Sequence, residues 1–174
     1  MIFITGNSDK VRELELILGQ KLETRDLDLS EIQSIDSEVV ATYKAQNAYN
    51  LLNKPVLVED TSLAFIGLNG LPGALIKSFL QCLTLQQIVD LLKENREAIA
   101  KTCLAYCDNN GVRLFTAEIL GQIAKEPKGE KGFGWDSIFI PSGQNKTFGE
   151  MEPEEKNKFS MRQKAAEKLK GIVF

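Results

Sequence analysis

The chain contains no histidine among its 174 residues, so any chemistry it performs draws on carboxylates, lysines and arginines rather than an imidazole base. That excludes Ser-His-Asp and Cys-His catalysis and the usual catalytic zinc sites. It points to phosphate chemistry, with any metal a hard cation on oxygen ligands. Four segments carry residues suited to such work. Thr5-Gly6-Asn7-Ser8-Asp9-Lys10 joins an apolar strand to a helix. A glycine turn there lets backbone N–H groups approach an anion at the positive end of the helix. Lys10 falls in the first helical turn, where the dipole disfavours a cation unless an anion compensates it. A plain tight turn with Asp9 near the cap accounts for the same residues. Glu59-Asp60-Thr61-Ser62 follows a short apolar run, at a strand end of the kind where open α/β sheets place ligands. Strand neighbours face opposite ways, so only one of the two carboxylates need enter a cleft. The competing reading is a solvated strand end.

Gly132-Phe133-Gly134-Trp135-Asp136 sets two aromatics and an acid among glycines. Such a composition can stack a base and hydrogen-bond its edge, or it can plug the core beside a turn. In the stretch 150–162, Lys156 and Arg162 stand out. Ser160 and Gln163 are spaced as a capping box, which puts Arg162 in the first turn of a helix, again against the dipole. A ligand oxygen would relieve that charge, and so would local ion pairs with Glu152, Glu154 or Glu155.

The elements that position these residues follow from periodicity and turn chemistry. Residues 1–5 read as an apolar strand. A helix from about Ser8 puts Val11, Leu14, Ile17 and Leu18 on one face, with Gly19 as a stop. Residues 21–29 alternate weakly, as a second strand would. Asp36 or Ser37 caps a longer helix through Val40, Tyr43, Ala48, Leu51 and Leu52. Pro55 introduces Val56-Leu57-Val58, a short buried strand ending at Glu59-Asp60. Residues 61–73 read as an ordered glycine-rich loop, followed by helices near 74–81 and, behind a Thr84 cap, 85–94. Residues 99–107 and 112–124 flank Asn109-Asn110-Gly111, a strong hairpin signal. A loop over 126–134 leads to residues 135–140, and a helix from Ser160 closes the chain. Strands alternating with helices, plus one hairpin, predict a single α/β domain over 1–174 with a mixed sheet.

Composition limits the partners. A hydrophobic fraction of 43% fits one domain with a sizeable core, and 21 basic against 24 acidic residues give a net charge of −3. That balance argues against binding a nucleic-acid polymer without arguing against nucleotides. No apolar run approaches the ~20 residues of a membrane helix, and Met1-Ile2-Phe3-Ile4 is too short for a signal-peptide core. Cys82, Cys103 and Cys107 form no C-x-x-C pair, so neither a disulfide framework nor a zinc site is indicated. The expectation is a cytosolic, reduced protein.

In this order, the segments resemble the inosine triphosphate pyrophosphatase family. The matching stretches are TGNSDK with Glu13, LVEDTSL, GLPGALIKSFL, GFGWDSIF and TFGEMEPEEKNKFSMR, spanning residues 5–162. The resemblance implies an elongated mixed sheet flanked by helices, in two lobes with the site between them. It further implies a homodimer, Mg²⁺, and hydrolysis of deaminated purine nucleoside triphosphates to monophosphate and pyrophosphate. Position by position, it assigns phosphate contacts to Thr5, Gly6, Asn7 and Lys10, with Lys44 and Lys156 as further cations. Glu31 takes the acidic metal-ligand position, while Asp60 binds metal and accepts the proton. Thr61 and Lys77 become further substrate contacts. Phe133, Gly134, Trp135 and Asp136 form the base-pocket wall, and Arg162 its guanidinium donor. One position departs: the family reads Ser-His-Arg where this chain has Ser160-Met161-Arg162. Methionine lacks the donor of the histidine that helps enclose the base, so weaker discrimination between inosine and guanosine is expected. The alternatives are a triphosphatase of different or relaxed base preference and a nucleotide sensor without turnover. Retention of Glu31, Asp60 and the lysines speaks against the sensor.

Overall fold

In this computed structural model, which describes residues 1–173 and side chains as far as Lys170, β1 (Ile2–Ile4) is fully buried. It leads into α1 (Ser8–Leu18), whose N-terminus is capped by the Asn7 side chain and whose end is Gly19 at φ +71°, a left-handed conformation that suits glycine. β2 (Glu23–Arg25) is short and wholly exposed, so the strand expected over 21–29 shrinks to three residues. α2 (Ser37–Leu52) is capped by Asp36. β3 (Val56–Phe65), β4 (Pro72–Gly73), α3 (Ile76–Cys82) and α4 (Leu85–Asp90) follow. The Thr84–Gln87 capping box starts α4, which stops four residues before the expected 94. β5 (Glu97–Asp108) and β6 (Gly111–Ile123) form the expected hairpin. β7 (Phe139–Pro141), α5 (Pro153–Asn157) and α6 (Met161–Val173) complete the chain.

The strands form one mixed sheet in the order β2-β1-β3-β5-β6-β7, with β4 also on β3. β1 runs parallel to β2 and β3, and the remaining pairs are antiparallel. One face carries Ile4, Val58 and Ala105 against Ala41, Ala45 and Ala48 of α2. The opposite face carries Phe3, Leu57 and Leu104 against Leu14 of α1 and Ala165 and Leu169 of α6. Farther along β3, Leu63 and Phe65 join Ile88, Trp135 and Phe148 in a third cluster.

Two expectations are corrected here. β3 does not end at Glu59-Asp60 but runs to Phe65, because β5 pairs with it along its whole length, from Val56↔Cys107 to Phe65↔Ala98. Residues 61–65, expected in a loop, are therefore strand. The capping box at Ser160 is also absent. The Ser160 hydroxyl accepts from the Arg162 N–H at 3.1 Å, while Gln163 turns outward to Glu167 at 2.8 Å.

On its other edge β3 is covered in two pieces. β1 pairs with 56–58 and β4 with 63–64. Residues 59–62 lie between, with no strand beside them, at the carboxyl end of parallel β1. The polar run that looked like a strand end is the floor of a break between two lobes.

Candidate active site

Adjacent strand residues alternate faces, and the β5 register assigns them. Asp60, opposite Cys103, faces α2. Ser62, on the same face, donates its hydroxyl to Ser37 of α2 at 3.4 Å. Asp60 Oδ2 is buried without a hydrogen-bond partner among the described residues. Burial pushes the Asp60 pKa up to about 6; Lys10 and Lys44 pull it down, and Glu31 and Glu59 push it further up. Lys44, from α2, pairs with Glu31 at 2.6 Å. Burial opposes the ionisation of Glu31, but the bond to Lys44 and the charges of Lys44, Lys77 and Lys10 together outweigh it, and the pKa is lowered. Two carboxylates and three lysines, from five separate segments, thus share one electrostatic neighbourhood.

The turn after β1, whose Thr5 N–H donates to Arg25 O at 2.9 Å, follows the strand that borders the break. Thr5 Oγ1 accepts from the Asn7 N–H at 3.1 Å. Asn7 Oδ1 accepts from Asp9 and Lys10, so only its NH₂ group can reach a ligand. Gly6 and Asn7 are exposed, and Thr5 and Thr61 are half-buried.

Glu59 faces the other way, into a chain of buried ion pairs. Arg162 grips it with Nε and Nη2, both at 2.9 Å, and Lys10 Nζ lies 3.4 Å from its Oε1 and from its carbonyl oxygen. Burial would raise the Glu59 pKa, yet Arg162 and Lys10 hold it at about 2. Arg162, 2% exposed, also pairs with Glu13 through Nη1. Glu13 continues to Lys156 at 2.7 Å, and Lys156 to Asp136 at 2.7 Å. Burial raises the Asp136 pKa against the pull of Lys156 and the Phe133 N–H. The Phe133 ring lies 5.2 Å from Lys156 Nζ and 5.4 Å from the Arg162 guanidinium carbon, within cation–π range. Gly132, at φ +74°, leaves the space a side chain would need to the Asp136 carboxylate.

The model of the Ham1 family matches residues 1–172. The chain belongs to the Ham1 family. This Ham1 protein is 45% identical over 180 residues to an inosine triphosphate pyrophosphatase of Yarrowia lipolytica, covering 99% of this chain and 95% of that one. It is 42% identical over 175 residues to a dITP/XTP pyrophosphatase of Methanopyrus kandleri, covering 97% and 93%. The solved HAM1 protein of Coxiella burnetii superposes with a TM-score of 0.83 at 29% identity, over 99% of this chain and 97% of that one.

The Ham1 fold brings most of the expected residues to the two faces of one break, but three are placed differently from their expected roles. Lys156, read as a phosphate cation, is 4% exposed and is occupied by Glu13 and Asp136. Trp135, read as pocket wall, is 6% exposed and packs edge-on against Phe139 at 5.5 Å. Met161 is 2% exposed in the same core cluster as Trp135 and Phe148, so it influences a base only through what it packs against. The sequence alone assigns Glu13 and Glu59 no role in this chain of ion pairs. Glu13 stands three residues after Lys10, on one helical face, which is the signal that could have found it. Two surface hollows, of about 760 and 530 Å³, differ in their relation to the site. The first, lined by Glu38, Lys101 and Lys168, shares no residue with this site; the second opens beside Thr5, Gly6 and Asp26.

Glu31 and Asp60 fit a hard divalent cation. Both offer oxygen, and Asp60 Oδ2 is a buried acceptor lacking a donor. No group of three carboxylate or cysteine side chains that could hold a metal forms among the described residues. Mg²⁺ characteristically takes one or two carboxylates and completes its shell with water and substrate phosphate.

Proposed function

We propose that this Ham1 protein hydrolyses deaminated purine nucleoside triphosphates to the monophosphate and pyrophosphate. Its metal would be Mg²⁺, held by Glu31 and Asp60, and its working form a cytosolic homodimer. The relatives named above carry inosine triphosphate and dITP/XTP pyrophosphatase activities in their names. The single observation that carries the reading is Asp60: a buried carboxylate with an unsatisfied oxygen and a raised pKa, set among Lys10, Lys44 and Glu31 in the break of β3.

Gly6 presents its backbone N–H, Asn7 its side-chain NH₂ and Thr5 its hydroxyl to the triphosphate at the positive end of α1. Lys10, Lys44 and Lys77 set positive potential around the phosphates before the reaction begins, so little reorganisation accompanies bond breaking. Asp60 orients the attacking water toward the α-phosphorus and takes its proton, and pyrophosphate leaves. Glu31 and Asp60 would hold the Mg²⁺, which when bound would neutralise phosphate charge. Thr61, in the open stretch of β3, borders the same phosphates. Phe133, Gly134 and Asp136 line the base side with Arg162, and Trp135 and Lys156 support them from beneath.

Pyrophosphate release from inosine, xanthosine, guanosine and adenosine triphosphates, with and without Mg²⁺, tests this. The expected result is Mg²⁺-dependent monophosphate and pyrophosphate, fastest with inosine and xanthosine. Orthophosphate plus a diphosphate would move the attack to the γ-phosphorus and sink the mechanism, and binding without release would make the chain a sensor.

A further inference from the structure

Arg162 has five N–H donors on a planar fork. Glu59 occupies two of them, Nε–H and one Nη2–H, at 2.9 Å each, and Glu13 occupies one on Nη1. That leaves one N–H on each terminal nitrogen. Glu59 is itself fixed: it stands on the central strand, its side chain has no solvent exposure, and Lys10 holds it from the phosphate side at 3.4 Å. The whole chain balances, with Lys10, Lys156 and Arg162 against Glu13, Glu59 and Asp136.

We propose that Glu59 is a positioning residue that sets base specificity: it clamps Arg162 so that the two remaining donors can only be satisfied by a purine with an acceptor at position 6. This rests on the reading of Arg162 as the base's donor. A guanidinium gripped side-on by a buried carboxylate cannot swivel, so a 6-amino purine would leave its donors desolvated and unpaired, which is costly. A looser guanidinium could turn away and tolerate the amino group. Discrimination therefore comes from the residue that restrains the arginine as much as from the arginine.

Glu59→Gln removes one acceptor and sets an N–H against the fork. It also leaves the chain of pairs with one excess positive charge beside Lys10, which favours any triphosphate whatever its base. The measurement is kcat/KM for inosine and adenosine triphosphates, by pyrophosphate release. The inosine-to-adenosine ratio should fall about 10-fold or more in E59Q, through loss on inosine and no matching loss on adenosine. A purely structural role would lower both substrates by one factor and leave the ratio unchanged, and that result overturns the proposal. If E59Q does not fold, E13Q decides, since Glu13 sits at the more open end with 15% of its side chain exposed. It should lower the ratio in the same direction by a smaller factor, and an unchanged ratio there overturns the proposal equally. Arg162→Lys separates this from the underlying reading. A ratio that collapses in R162K but survives in E59Q removes Glu59 alone, whereas a ratio intact in R162K removes Arg162 as the base reader.

Discussion

At Asp60 folding and chemistry pull in opposite directions, because burial raises its pKa from 3.8 to about 6. The folded chain then holds the Asp60 proton more tightly than the unfolded chain does. That contribution to stability is present below the unfolded value and is lost as pH climbs through about 6, up to ~3 kcal/mol in all. The proposed chemistry needs the other form, since only the carboxylate accepts a proton. Asp60→Asn should therefore lower turnover by ~10²–10⁴-fold while raising the melting temperature of the metal-free protein at about pH 8. The gap should close toward about pH 4, where both side chains are neutral. A variant melting below wild type at the higher pH would mean that Asp60 is not strained by its burial. The residue pattern made Asp60 legible only as one of an acid pair, and the family resemblance singled it out. The sequence could not tell which acid faces which helix, because that follows from the register with β5.

Among the elements, the hairpin and the helix signals at Gly19, Asp36 and Thr84 were readable because they are local, whereas the one at Ser160 misled. The full length of β3 was not readable, because the polar run Glu59-Asp60-Thr61-Ser62 reads as an ending and only pairing with distant β5 keeps it extended. Arg96 shows the same limit. Its Nε donates to Ile123 O at 2.8 Å and Nη1 to Leu92 O at 2.7 Å, while Nη2 donates to Val89 O at 3.2 Å and Ala124 O at 2.5 Å. It thus ties the end of α4 to the end of β6 through four carbonyls that no local pattern brings together. Lysine carries the charge but not the fork. Arg96→Lys should cost about 2–4 kcal/mol of stability, seen as a lower urea midpoint with unchanged slope. Activity per folded molecule should stay as it was. An unshifted midpoint would mean that the four carbonyls are satisfied without it.

For the whole molecule, both lobes hang on one strand. β1, β4 and β5 all pair with β3, and the apolar clusters lie along it on both faces. Such sharing couples the lobes, so unfolding should be a single transition. Tryptophan fluorescence at Trp135 and far-ultraviolet circular dichroism should report the same midpoint. Two separated midpoints would divide the chain into independent domains. The proposed homodimer would be a property of the whole chain that no single residue announces. Light scattering at micromolar concentration should return twice the 19.4 kDa chain mass, and a value of one chain mass would remove it.

Deuterium offers another view of the break in β3. Odd-numbered residues turn their backbone groups to that edge: the Glu59 carbonyl meets Lys10, and Phe65 exchanges bonds with Leu71 and Gly70. The parallel ladder brings the Glu59 N–H to Ile4, and the antiparallel one brings Leu63 to Gly73. Thr61, between them, meets no strand among the described residues. Its amide should exchange with solvent far faster than those of Asp60 and Ser62, which point toward β5, although all three sit in the middle of the most enclosed strand of the sheet. A triphosphate lying across the break should slow that one amide selectively. Protection at Thr61 equal to its neighbours in the ligand-free chain would mean that the edge is closed, and that substrate has to open it.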